Sequence, residues 1–416
     1  MAEAAKSWTA TENNDNMDRY DIQTLTAEAT ALLKEMIAIP SPSFSEDEVC
    51  SFISKWLTSK GIVHERVGNN IIARLSQQPG INPDTFNGRP TLMLCAHIDT
   101  VSASNEYSFD PYCPDYAKAA EVISARIANG ELPEAPSASA DESEIVAGLG
   151  SNDDGASVVS MIAAFRRFLD FARNDRNIVL VLSSEEERSG ANGMTGLWGS
   201  VLCNAEQAEH SEGAIKVDYA IVGEPTGVRA ATSERGLLVI DATAHGVSGH
   251  AARNEGINAI DIAIQDIEAI KAHQFAKISP RMGKVNVNVT QINAGTAHNV
   301  IPDTCTFVID IRPTEQYTNE EIRAELQAIC KSDLKPRNLS NRSSATHEDS
   351  PLQKAAEVLG IETFSSPTTS DWMRIDCDAI KMGPGESSRS HRKDEFVYIK
   401  EIEDGIKTYI EFINKL

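Results

Sequence analysis

The order of apolar segments predicts an α/β protein: a mostly parallel sheet sandwiched by helices, interrupted by an inserted α/β sandwich of the ferredoxin-like kind. Three observations predict it. Leu-rich and β-branched runs such as TLMLCA, NIVLVLSS and YAIVG alternate with helical patterns, as in parallel sheets covered on both faces. After Thr226 the order becomes strand, helix, strand, strand, helix, the pattern of a small α/β sandwich. The runs of the first kind end in acids or a histidine, and open α/β sheets bind ligands at the carboxyl edge of their strands.

The elements follow in order. From Asp21, LTAEATALLKEMIAI carries apolar residues at helical spacing, and Pro40 and Pro42 stop it. A second helix is expected over roughly 46–60, then a hairpin-like passage through HERVGNNIIARL, and a central strand over 91–99. Residues 103–146 read as loop and weak helix. Helices are expected from Gly155 to Phe171 and over GMTGLWGSVLCNAEQ, with NIVLVLSS and VDYAIVGE as strands. In the later part RGLLVIDATAHG, KVNVNVTQINAG and CTFVIDIRP read as strands, NAIDIAIQDIEAIKAH and NEEIRAELQAICKS as helices. A helix over 352–359, the strand DAIKMGP and a closing helix over 400–415 complete the chain. One domain is therefore expected over 18–227 and 343–416, with a second inserted at 228–342. Residues 1–17 read as a disordered tail. The stretch ELPEAPSASADESE, 131–144, has five acids and no base, and reads as a surface excursion.

The 416 residues carry 61 acids against 38 Lys and Arg, a formal charge of -23, which repels nucleic acid and anionic membranes. No apolar run approaches the length of a membrane span. The seven cysteines are odd in number, widely spread and without a CxxC pair, which predicts a reduced, cytoplasmic protein.

The chemistry-bearing residues are scattered. His97 and Asp99 leave a strand end on one face, so His97 can bind a metal while Asp99 accepts from its other ring nitrogen. In GLGSNDDG the third glycine of a nucleotide-binding loop is replaced by Asp153, and Asp154 follows. Two carboxylates there repel a pyrophosphate, so the segment reads either as a helix cap or as a metal bridge. Glu185, Glu186 and Glu187 end a strand. Adjacent anions need a cation or a proton to relieve them, and two of the three can face one site with different tasks, one on a metal and one as a base. Glu224 follows a buried strand, and His391 follows GPGESSRS. Two histidines with several carboxylates suit a divalent metal centre, and one bridging carboxylate with four terminal ligands would hold two ions. In the inserted segment His250, Asn299 and Arg312 offer an imidazole, an amide and a guanidinium suited to a carboxylate. A structural role for His250 stands beside the catalytic one.

Taken together, HID, GLGSNDDG, SSEEERSGANG, VGEPTG, SGHAAR, GTAHNVIPD and GPGESSRSH stand in the order seen in one family. From about residue 20 to 416 the chain resembles the di-zinc metallohydrolases that include acetylornithine deacetylase, succinyl-diaminopimelate desuccinylase, aminoacylase and glutamate carboxypeptidase, and looks most like a divergent acetylornithine deacetylase. The resemblance implies His97 and Glu224 on one zinc, Glu187 and His391 on the other, and Asp153 bridging both, with cobalt or manganese as alternative ions. It implies Glu186 as general base, Asp99 behind His97, and often a cis peptide after the bridging Asp. The inserted domain would serve as lid and dimerisation domain, with His250 reaching the partner's active site in a homodimer, and Asn299 and Arg312 holding substrate. The implied activity is removal of the acyl group from an N-acyl amino acid, foremost N-acetyl- or N-succinyl-L-ornithine in arginine biosynthesis. N-acetylcitrulline or diaminopimelate deacylation and dipeptidase or carboxypeptidase activity are the alternatives. The stretch from Asp99 to Asp153 is longer than the family usually shows.

Overall fold

The computed structural model describes residues 21–132, 145–170, 176–211, 213–253 and 255–416. The expected tail at 1–17 and residues 133–144 of the acid-rich stretch lie outside the described residues. The chain divides into two compact units, one of residues 1–230, 348–363 and 375–416, the other of 231–347 and 364–374.

In the first unit four parallel strands form the middle of a sheet, in the order Asn177–Ser183, Thr91–His97, Tyr219–Val222 and Asp378–Lys381. Two further strands, Asn70–Arg74 and Glu65–Val67, extend it beyond Asn177–Ser183 and run antiparallel. The sheet is therefore mixed, where a mostly parallel one was expected. Glu65–Val67 and Asn70–Arg74 form the expected hairpin, whose short turn allows only an antiparallel pair. Alternation along the strands buries both faces: Leu92, Leu94 and Ala96 pack with the helices, while Met93 and Cys95 lie opposite and are equally buried. Helices Ile22–Ile37, Gly155–Asp170 and Ile399–Lys415 share the core with the first set. Asp21 caps the first of them by accepting the Thr24 amide at 2.6 Å. Fully burying one Leu of this core contributes ~1.5–3 kcal/mol, and truncating it to Ala costs about 2–5 kcal/mol.

The expected helix over GMTGLWGSVLCNAEQ is broken into Met194–Leu197, the short strand Leu202–Cys203 and Ala205–Ala208. Gly199, at φ 85°, ends the helical pattern before it can propagate. The weak helix expected within 103–146 is a full one, Tyr116–Ala128, capped by Asp115.

The inserted unit holds a four-stranded antiparallel sheet, in the order Asn286–Ala294, Thr304–Arg312, Leu238–His245, Asp333–Pro336. Helices Ala259–Ala272 and Asn319–Ile329 share its core, in which Leu238, Ile240, Phe307, Ile309 and Ile311 are buried. This is the expected ferredoxin-like sandwich. Its fourth strand buries only Leu334 and so carried no alternation to read. Its extent differs from the expected 228–342: residues 343–347 and 364–374 belong with it. Ser370 donates to Glu234 at 2.7 Å, Arg235 N donates to the Ser366 carbonyl at 3.2 Å, and Arg374 donates to the Ser340 carbonyl at 3.0 Å. Among the described residues no helix is long and apolar enough to cross a membrane.

Candidate metal centre

The carboxyl ends of the four parallel strands gather the residues singled out in the first unit. His97 closes Thr91–His97, Glu185 to Glu187 follow Asn177–Ser183, Glu224 follows Tyr219–Val222, and His391 lies beyond Asp378–Lys381. Asp153 sits in the turn before helix Gly155–Asp170, where the helix dipole favours negative charge. That turn is tight: a Cβ on Gly150 would lie 2.6 Å from Thr100 Cγ2, and Gly150 adopts φ 78°. The Asp153-Asp154 peptide is cis, as the resemblance implied.

His97, Asp153 and Glu187 present ligand atoms within 4.8 Å of one another, and so do His97, Glu186 and Glu224. His97 Nε2 is 3.2 Å from Asp153 Oδ1, and His391 Nε2 is 3.6 Å from Asp153 Oδ2. The two oxygens of Asp153 thus face two different histidines. His391 Nε2 also lies 2.9 Å from Glu187 Oε2.

The glutamate triplet is sorted by its surroundings. Glu185, at φ 59°, turns away: its carboxylate accepts the Asn192 amide at 2.9 Å and the Asn192 side chain at 2.7 Å. Glu186 and Glu187 are left on the side of His97.

Asp99 meets His97 with both its main chain and its carboxylate. His97 Nδ1 is 2.9 Å from the Asp99 backbone oxygen and 3.4 Å from its carboxylate, so the main chain is the nearer partner. The Asp99 carboxylate also accepts the Ser43 hydroxyl at 2.6 Å and the amides of Glu186 and Glu187 at 3.1 and 3.2 Å. It fixes the backbone of the acidic turn as much as the imidazole.

Several residues with comparable tasks carry little mark in the sequence. Glu395 is buried and accepts the amides of Asn152 and Asp153, both at 2.9 Å. Asn152 joins this turn to the His391 loop, accepting the Glu386 amide at 2.9 Å and donating to the Glu386 carbonyl at 3.1 Å. Glu46, fully buried, accepts the Glu185 amide at 3.2 Å, and Asn70 accepts that of Ser184 at 2.9 Å. The only available signal was Glu395 itself, an acid directly before the apolar FVY.

The electrostatics carry an excess of anions. Burial and the charge of Asp153 hold the Glu224 carboxyl well above its usual range, although Lys381 pulls the other way. Burial raises Asp154 to about 8, and burial with the Asp153 charge raises Glu395 to about 8. Burial alone would lower the His97 pKa, but hydrogen bonds with Asp153 and Asp99 hold it well above the ordinary value. His391 is raised to about 9, chiefly by Glu187. Buried carboxylates repelling one another around two imidazoles are relieved by a cation, and nitrogen and oxygen donors at this spacing suit divalent zinc, cobalt or manganese. The residues present fit such ions.

In the inserted unit His250 and Asn299 lie on adjacent segments: Gly249–His250 pairs with Val300–Ile301, and Ala251 N donates to the Asn299 carbonyl at 3.1 Å. Both residues are exposed, and His250 Nδ1 accepts the Ala252 amide at 3.2 Å. Arg312 is already engaged, its Nε 2.9 Å and Nη2 3.2 Å from the two oxygens of Asp310. The fork expected to hold a substrate carboxylate holds a protein one.

Residues 232–338 match the peptidase dimerisation domain, and residues 70–256 match peptidase family M28. A succinyl-diaminopimelate desuccinylase of Ehrlichia chaffeensis is 24% identical, over 92% of this chain and 97% of its own. An acetylornithine deacetylase of Photorhabdus laumondii is 24% identical, over 88% of this chain and 91% of its own. The fold is that of the aminopeptidase PepT from Bacillus cereus, with a TM-score of 0.67 and 18% identity over 95% of this chain and 99% of that one. A dinuclear metal-binding peptidase from Bacillus subtilis gives a TM-score of 0.62 and 15% identity over 94% and 99%. The chain is thus similar to an M20-type peptidase dimerisation domain over residues 232–338, and along most of its length to a desuccinylase and a deacetylase.

Proposed function

We propose that the protein removes the acyl group from an N-acyl amino acid, foremost N-acetyl- or N-succinyl-L-ornithine, by hydrolysis of the amide bond. The observation that carries this is the position of Asp153, with one oxygen toward His97 and the other toward His391. His97 and Glu224 would hold one divalent ion, Glu187 and His391 the other, with Asp153 on both and zinc as the first choice. When bound, the ions supply Lewis acidity toward the amide carbonyl and acidify water.

The chain's own residues do the rest. Glu186 takes a proton from the attacking water and later returns it to the departing nitrogen. Asp99 holds the Glu186 amide and so sets where that carboxylate stands. Glu185 is withdrawn to Asn192, which leaves Glu186 and Glu187 to share the tasks of base and ligand. His250, brought by the partner subunit, donates to the oxygen on which charge develops, an interaction strongest in the transition state. Asn299 and Arg312 hold the substrate, Arg312 gripping the α-carboxylate after exchanging Asp310 for it.

A homodimer is supported by the match to the peptidase dimerisation domain and by the edge strand Asn286–Ala294, where Ile292 is 51% exposed. All seven cysteines are free thiols, which supports a reducing cytoplasmic setting. The names of the two relatives support an N-acyl amino acid, and with ornithine as the amine the reaction belongs to arginine biosynthesis. Assaying acetylornithine, succinylornithine, acetylcitrulline, succinyl-diaminopimelate and several dipeptides with the metal-loaded enzyme tests the reading. Turnover of an ornithine derivative above the others is expected; turnover of dipeptides alone would make the protein a peptidase.

A further inference from the structure

We propose that helix Tyr116–Ala128, through Arg126, is a brace that positions the segment 391–395 for metal binding; the inference rests on the metal centre proposed above. His391 is poorly fixed by its own position. Its side chain is 56% exposed and its backbone has φ 57°. Asp394 and Glu395, which follow it, are by contrast deeply buried and heavily hydrogen-bonded.

Asp394 is 1% exposed and accepts the Ser108 amide at 2.6 Å, the Ser108 hydroxyl at 3.0 Å and Arg126 Nη1 at 2.9 Å. Arg126 also donates to the Lys393 carbonyl at 3.2 Å. Ser108 and Arg126 both belong to the stretch between Asp99 and Asp153, so that stretch grips the side chain of Asp394. The next residue, Glu395, clamps the amides of Asn152 and Asp153. One five-residue segment thus carries a metal ligand at its start and the clamp of the bridging carboxylate at its end, with its middle held from this helix.

The helix is itself anchored. Ala119 and Ile123 are buried in a small apolar cluster with Phe109, Ile145, Ala147 and Phe396. Asp115 caps it, accepting the amides of Ala117 and Lys118 at 3.1 and 3.3 Å. On the other side of His391, Arg389 pairs with Glu401 at 2.6 Å and lies 4.5 Å from the centre of the Phe396 ring. Phe396 therefore belongs to the apolar cluster and to the Arg389 anchor together. Arg126 acts through Asp394 and Lys393 and is a positioning residue.

The test uses the full chain and zinc. Metal affinity is measured by competition with a chromophoric chelator for Arg126→Ala, Arg126→Lys, Asp394→Asn and, as a control, Glu131→Gln, which loses only the exposed partner of Arg126 at 3.2 Å. Arg126→Ala is expected to weaken zinc binding, the ion held by His391 more than the other, by roughly the 10- to 100-fold that bounds the loss of an outer partner of a ligand. kcat should fall with KM nearly unchanged, Arg126→Lys should recover part of both, and Glu131→Gln should match the parent. Wild-type affinity for both ions in Arg126→Ala overturns the proposal. So does equal loss of both ions in step with a lower unfolding temperature of the metal-free protein, the mark of a purely structural residue. Should Arg126→Ala fail to fold, Asp394→Asn is read by the same criteria. A parent protein that takes up no metal would instead sink the centre on which the brace rests.

Discussion

His97 and His250 stand in opposite circumstances. The first is 3% exposed, its two ring nitrogens meeting Asp99 and Asp153, and the residues around it are themselves held by Ser43, Glu395 and Asn152. The second sits on exposed backbone and accepts one neighbouring amide. The same contrast separates Asp153, whose amide is clamped by Glu395, from Asn299, which is exposed. The sheet edge is preorganised by the fold of one unit. The inserted unit holds His250 and Asn299 exposed, and the proposed reading gives them a task only when substrate or a second copy meets them.

That contrast can be broken experimentally. The largest effect is expected at the sheet edge. Glu186→Gln should keep both ions and lose about 10²–10⁴-fold in kcat, the range for a general base. Metal analysis with steady-state kinetics checks it, and surviving activity would move the base to a neighbouring glutamate. His250→Ala should leave metal content and assembly unchanged and cost roughly 10²–10³-fold in kcat, as for loss of one oxyanion donor. Mixed dimers of His250→Ala with Glu186→Gln should regain activity in one of their two sites. Failure to regain it would place the imidazole within a single chain.

A smaller effect, confined to KM, belongs to Arg312. Arg312→Met should raise KM about 10- to 100-fold, the roughly 1.5–3 kcal/mol of a charged hydrogen bond, with kcat nearly unchanged. An unchanged KM would leave the guanidinium as the partner of Asp310 alone.

The smallest effect is the pH dependence of the metal-free protein. His391 at about 9, against an ordinary 6.5, and Asp154 and Glu395 at about 8 bind protons more tightly folded than unfolded. The stability His391 lends is whole below pH 6.5 and lost as pH rises through about 9; that of the two carboxyls fades on approach to about 8. The lowered carboxyls Asp99 and Asp153 act in the opposite sense, but below pH 3.8. Denaturant titrations of chelated protein at pH 6.5 and 9 should therefore show lower stability at the higher pH, and metal loading should remove the difference while releasing protons. Greater stability of the chelated protein at pH 9 would contradict this.

The parts legible in the sequence were those with periodicity or charge to read. Apolar runs such as TLMLCA located the strands, and acids or histidines beyond them located His97, Asp153, Glu187, Glu224 and His391 at one edge. Contacts between distant residues were illegible. Nothing near Glu46 or Asn152 announces that they accept amides of the acidic turn and of the His391 loop. Nor does Arg312 reveal, two residues from Asp310 on one strand face, that the pair will close on itself. The helix over GMTGLWGSVLCNAEQ failed for a local reason, since its glycines favour turns over propagation.

Counting zinc is the most direct test of the claim that one carboxylate joins two metal positions. Elemental analysis and calorimetric titration of the wild-type chain and Asp153→Asn, after exhaustive chelation, give the answer. Two ions per wild-type chain and no tightly held ion in Asp153→Asn are the predicted result. A single ion in the wild type, or two retained by Asp153→Asn, would contradict it.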